Sequence, residues 1–184
     1  MGRKYPQGTF AFVVAAGFSL RREMINRNVR EKKHRLPLHC YLGQVRVTFT
    51  LCIEDKRPFF VEKAIVDKFI EILREVKGKY NCKNWVYMFM PDHLHVVNEG
   101  ISDSSDLWKM MNFFKQKTGF WLSQNKKGTK WQKDFYDHVH RKEDDLKKHI
   151  IYILDNPVRK GLVSDWKGYP SKGSLDFSLQ DIIS

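Results

Sequence analysis

The sequence predicts an α+β domain, in which helices pack on one small antiparallel sheet. Three observations point there. Residues 44–53 alternate apolar and polar with the period of a half-buried strand. Residues 60–77 then carry apolar positions at helical spacing. Three more strand-like runs and two more helical runs follow in mixed order, which a parallel α/β repeat does not produce.

Taken in order, Val45, Val47, Phe49, Leu51 and Ile53 share one face of the first strand, and Arg46, Thr48 and Thr50 share the other. Asp55–Pro58 turns the chain. Phe60, Ala64, Ile65, Phe69, Ile70, Leu73 and Val76 form the apolar stripe of the first helix, and residues 78–83 read as a loop. Residues 84–90 and 94–98 are the second and third strands, joined through Pro91-Asp92. Ser102–Ser105 offers N-caps for a helix over 105–123, with Leu107, Trp108, Met110, Met111, Phe114 and Trp121 inward. These aromatics read as core rather than as a base-stacking platform. Residues 131–139 form a fourth strand. A last helix spans 143–155, with Leu146, Ile150, Ile153 and Leu154 inward, and Pro157 ends or kinks it. The chain after Gly161 shows no strong pattern.

The formal charge of +12 and a pI near 9.6 are spread along the whole chain rather than confined to a tail. Such a balance points to a nucleic-acid partner, with an anionic membrane or simple solubility as the alternatives. Cys40, Cys52 and Cys82 are odd in number and form no CxxC pair, which argues against a zinc ribbon or a disulfide framework and fits a reducing, cytoplasmic location. The expected organisation is a basic arm over 1–38, one domain over 39–171 and a tail over 172–184. Within the arm, residues 9–20 resemble the apolar core of a signal peptide but are too short for a membrane span. Met24 is an alternative start. No membrane partner is expected.

The candidate chemistry lies in Met90-Pro91-Asp92-His93-Leu94-His95-Val96-Val97. On a strand, His93 and His95 project together while Leu94 points into the core, so two imidazoles can grip one ion. Tyr152 and Asn156 lie at i and i+4 of the last helix, on one face. Two imidazoles and an amide oxygen are neutral ligands, so the ion keeps its charge and can polarise a phosphate. Tyr152 would then be the nucleophile, helped by the metal, a base or local positive charge, because a phenol has a pKa near 10. Each feature also has an ordinary reading. An HxH arises by chance, as His138-Val139-His140 illustrates; a helical tyrosine is commonly core or surface; an Asn before Pro commonly ends a helix.

Taken together, these residues resemble the single-tyrosine HUH transposases, and in particular the REP-associated tyrosine transposases. The resemblance rests on Met90–Val97, on Trp131-Gln-Lys-Asp-Phe-Tyr-Asp-His138, and on Tyr152-Ile-Leu-Asp-Asn-Pro-Val-Arg-Lys-Gly-Leu-Val163, in the family's order. Residues 47–60 and 165–170 also fit, so the likeness covers roughly 35–171. It implies a ferredoxin-like antiparallel sheet with helices packed on it. It implies a Mg²⁺- or Mn²⁺-dependent nuclease and strand transferase acting on single-stranded DNA near hairpins formed by palindromic repeats. By position, His93, His95 and Asn156 match the metal ligands, and Tyr152 matches the nucleophile that forms a 5′-phosphotyrosine. Asp137 and His138 then read as structural or DNA-facing. Arg141, Arg159 and Lys160 are phosphate contacts by charge and position, and Lys160 stands where relatives often carry Ala. Whether the protein acts as a monomer or a homodimer is left open, and a nucleoid-associated cytoplasmic location is implied. The rival expectations are a non-catalytic nucleic-acid-binding protein and a metal-dependent hydrolase with a structural Tyr152.

Overall fold

A computed structural model describes residues 36–140 and 143–184. The apolar stretch, the alternative start and nearly all of the basic arm lie outside the described residues, as does Arg141. In chain order the elements are β1 (Arg46–Cys52), α1 (Lys63–Lys79), β2 (Cys82–Met90), β3 (His93–Gly100), α2 (Leu107–Asn125), β4 (Tyr136–His140), α3 (Glu143–Leu154), α4 (Asn156–Arg159), β5 (Lys172–Gly173) and α5 (Leu179–Ile183). The strands form one sheet in the order β4-β1-β3-β2-β5, with every pairing antiparallel. The βαββαβ run with β1 and β3 at the centre is the ferredoxin-like arrangement.

Strand alternation divides the side chains between two cores. Val47, Phe49, Leu51, Phe89, Leu94 and Val96 pack with α1 and α2 on one face. Val86, Met88, Met90 and Val97 face the other way, against Leu146, Ile150, Ile153 and Leu154 of α3. His93 and His95 have the parity of Val97, so they lie on the α3 side. Thr48, Thr50, Tyr136, His138 and His140 share that side through the registers Thr50↔His95, Thr48↔His138 and Thr50↔Tyr136.

The turn before the histidines is anchored from below. Phe59 N–H and Phe60 N–H donate to Pro91 O at 2.6 and 2.9 Å, and Ile53 N–H donates to Asp92 O at 2.9 Å. The first helix therefore starts at Lys63 rather than 60, because Phe59 and Phe60 are spent as core residues ahead of it.

Three other boundaries differ from expectation. Asp106, not Ser102–Ser105, caps α2, its carboxylate accepting from Lys109 N–H at 2.8 Å. Ser105 instead donates to Asn81 O at 2.6 Å. Strand β4 begins at Tyr136. Trp131 makes only an isolated bridge to Ile53, and its indole donates to Thr118 Oγ1 at 2.8 Å. At Pro157 the chain both ends one helix and starts another, because Pro suits an early helical position.

The segment after Ser171 is built into the fold: β5 pairs with β2, and Leu179, Ile182 and Ile183 pack on the α3 core. Asp176 holds this segment down. It accepts from Asn84 N–H at 2.7 Å and from Lys77 Nζ at 2.6 Å. Asp176→Ala strands a backbone donor beside a bulge in β2. It is expected to cost about 2 kcal/mol, a fall in Tm of roughly 4–8 °C by calorimetry. An unchanged Tm would show the segment to be energetically idle.

Candidate active site

The two histidines of β3 are held from behind and aimed at one point. Asp92 Oδ1 lies 2.6 Å from His93 Nδ1, and Thr50 Oγ1 lies 2.8 Å from His95 Nδ1. With both Nδ1 atoms engaged, the Nε2 atoms converge to 3.1 Å, with the rings at 90°. A carboxylate or hydroxyl behind each imidazole is the usual support of a metal-binding histidine. Two nitrogens on one ion at right angles also sit about 3 Å apart. Burial, followed by the proximity of His93, His149 and Arg159, which would repel a proton on the ring, pushes the His95 pKa down to about 3. His95 is therefore neutral at physiological pH, the state a metal ligand requires.

The pair thus fits a divalent ion, though it supplies only two donors. Among the described residues, no group of three or more His, Cys, Asp or Glu is arranged to hold a metal. Asn156 opens α4, where its Nδ2 donates to Ile153 O at 3.1 Å and its Oδ1 accepts from Arg159 Nη2 at 2.6 Å. The oxygen expected to serve as the third ligand is therefore engaged by Arg159 and must exchange partners to do so.

Tyr152 lies on the solvent side of α3, 56% exposed. The Arg159 guanidinium covers its ring at 3.7 Å and also donates to Tyr152 O at 3.0 Å. His149, one turn earlier on α3, lies 6.1 Å from the Tyr152 ring. Lys160 is exposed at the end of α4.

The second HxH divides in two. Asp137 accepts from Tyr41 Oη at 2.7 Å on the α1–α2 side, a structural contact. His138 and His140 point to the α3 side and meet His149, with ring centroids 4.8, 4.9 and 5.7 Å apart. His140 is buried and shares a hydrogen bond of 2.7 Å with Thr48 Oγ1.

Sequence reasoning named the histidine pair, Tyr152 and Asn156 as candidates, and passed over Thr50, Asp92 and His149, which the structure sets beside them. Thr50 was visible as a member of the polar face of β1, and His149 as the i−3 neighbour of Tyr152. That Thr50 lies opposite His95 depends on strand register, which the sequence does not state.

The fold and site describe a ferredoxin-like domain with a histidine pair on its sheet and a tyrosine on the helix above. The family model "Transposase IS200 like" matches residues 42–153, more than half of the chain, and the protein belongs to this IS200-like transposase family. Among individual proteins, it is 34% identical over 103 residues to a REP-associated tyrosine transposase of Escherichia coli, covering 53% of this chain and 56% of that one. A Haemophilus influenzae protein of the same type is 25% identical over 134 residues, covering 66% of this chain and 75% of the relative. The fold matches that of a REP-associated tyrosine transposase solved bound to a REP hairpin. The TM-score is 0.65 at 20% identity, covering 78% of this chain and 82% of that one. No helix among the described residues is long and apolar enough to cross a membrane.

Proposed function

We propose that this protein is a metal-dependent endonuclease and strand transferase for single-stranded DNA, cutting near hairpins through a 5′-phosphotyrosine on Tyr152. The observations that support this reading are the His93 and His95 Nε2 atoms converging to 3.1 Å on β3 and an exposed Tyr152 on α3 with the Arg159 guanidinium over its ring at 3.7 Å. The hairpin substrate is drawn from the relative solved with a REP hairpin, and the charge of +12 supports a nucleic-acid partner.

His93 and His95, with Asn156 once released by Arg159, would hold Mg²⁺ or Mn²⁺. When bound, the cation would polarise the scissile phosphate as a Lewis acid. The rest is work for the chain itself. Asp92 and Thr50 keep the imidazoles oriented. Arg159, which lies over the Tyr152 ring, can pass from it to a phosphate oxygen. The Tyr152 oxygen attacks phosphorus, the P–O3′ bond breaks, and the departing strand takes a proton to become a free 3′-OH. The covalent bond conserves the phosphoester, so a second 3′-OH can displace Tyr152 without a nucleoside triphosphate.

The test uses end-labelled single-stranded hairpin DNA with Mg²⁺ or Mn²⁺, resolved on a denaturing gel. A protein–DNA adduct that survives denaturation is expected, together with binding that weakens steeply with salt. Cleavage without an adduct would favour hydrolysis by water. Binding without cleavage under either metal would favour a non-catalytic role.

A further inference from the structure

We infer that His149 is the proton acceptor for Tyr152, and that His138 hands the proton on to solvent. The inference rests on the nucleophile reading above and adds a group that the metal site does not provide.

His149 and Tyr152 stand three residues apart on α3, hence on adjoining positions of one face. Their rings lie 6.1 Å apart with a tilt of 32°, close enough for one bridging water or a side-chain rotation to join the phenol to a ring nitrogen. Across the gap to β4, His149 stacks on His138 at 5.7 Å and 19°, and meets the buried His140 edge-on at 4.9 Å. His138 is exposed, so the cluster opens to water at one end. It reaches the tyrosine at the other.

A base for this step must be neutral before it acts. Three imidazoles in mutual contact disfavour charge on any one of them. Burial, and then His138, hold the His149 pKa below the ordinary histidine range. Among the described residues, the charged or titratable groups facing His149 are His138 and His140 from β4, His95 from β3, Tyr152 on its own helix, and Arg159 from α4 beside that tyrosine. All are cationic or neutral, and none stabilises an imidazolium. A proton taken from Tyr152 is thus passed on readily.

The step balances without a co-reactant. The phenol O–H bond breaks and its proton binds a His149 ring nitrogen. The phenolate forms the O–P bond as P–O3′ breaks. The imidazolium proton returns, through His138 and water, to the 3′ oxygen. Reversal of the same transfers serves rejoining.

The experiment is the single-turnover rate of adduct formation on hairpin DNA as a function of pH, in wild type, His149→Gln and His149→Ala. Hairpin affinity and Tm serve as folding controls. Wild type should show a rate that rises with pH and levels off above the His149 titration. His149→Gln should be slower by about 100-fold, with that inflection gone and affinity for the hairpin kept. Added imidazole should restore part of the rate in His149→Ala. If wild type forms the adduct but His149→Gln keeps both rate and pH profile, the inference falls while the nucleophile reading stands. A profile that moves with exchange of Mg²⁺ for Mn²⁺, and not with His149→Gln, also overturns it. If wild type forms no adduct at all, both readings fall together.

Discussion

Tyr152→Phe is expected to abolish the covalent protein–DNA adduct while leaving hairpin affinity within about twofold of wild type. The substitution removes one oxygen from a side chain 56% exposed at the surface of α3. No core contact is lost, because α3 is anchored by Leu146, Ile150, Ile153 and Leu154 on its opposite side. The Arg159 guanidinium keeps an aromatic face to lie on, so the α3–α4 corner is retained. Phe has no nucleophilic atom. The expected loss is therefore complete within the sensitivity of a denaturing gel, with no change in Tm beyond the range of ordinary surface substitutions. Cleavage that survived the change would make Tyr152 structural.

His93→Ala or His95→Ala is expected to slow cleavage about 1,000-fold, equivalent to roughly 4 kcal/mol of lost transition-state stabilisation. Either change leaves a single imidazole, where the structure has two Nε2 atoms 3.1 Å apart. The two should differ in their effect on the fold. His93 sits at the start of β3 against Asp92, whereas His95 is more enclosed and bonded to Thr50 further along the strand. His95→Ala should therefore also lower Tm, since Thr50 loses its partner in a dry setting. Mn²⁺ titration by calorimetry should show the loss of binding directly, in the absence of DNA. Retained Mn²⁺ binding in the double substitution would place the ion elsewhere.

Much of the fold could be read from periodicity. The alternation of 44–53, the apolar stripe of 60–77 and the inward set Leu146, Ile150, Ile153 and Leu154 all depend on local geometry, and the structure turns these residues inward except Ala64, which is exposed, while Val66 and Ile72 join the stripe. The histidine pair was legible for the same reason: i and i+2 on a strand need no tertiary information. The parts that were not legible depend on register or on very short elements. A strand of two residues and a helix of five carry too few positions for a period to show, so the chain after Ser171 looked patternless. The support of His95 by Thr50 and the meeting of His149 with His138 and His140 arise between segments far apart in sequence. Nothing in either segment alone states which residue will stand opposite. The bond from Arg159 to Asn156 Oδ1 was likewise invisible, although both residues were named separately as candidates.

The central claim is that one particular phenol oxygen becomes bonded to phosphorus. The structure also offers a rival: Tyr136 on β4 is 71% exposed, on the same side of the sheet, and in register with Thr50, the partner of His95. The decisive measurement is mass spectrometry of proteolysed adduct after reaction of the full chain with hairpin DNA and Mg²⁺ or Mn²⁺. The account predicts a nucleotide phosphate on the peptide containing Tyr152 and an unmodified Tyr136. A phosphate on Tyr136 or any other residue, or a cleaved strand with every tyrosine unmodified, would contradict it.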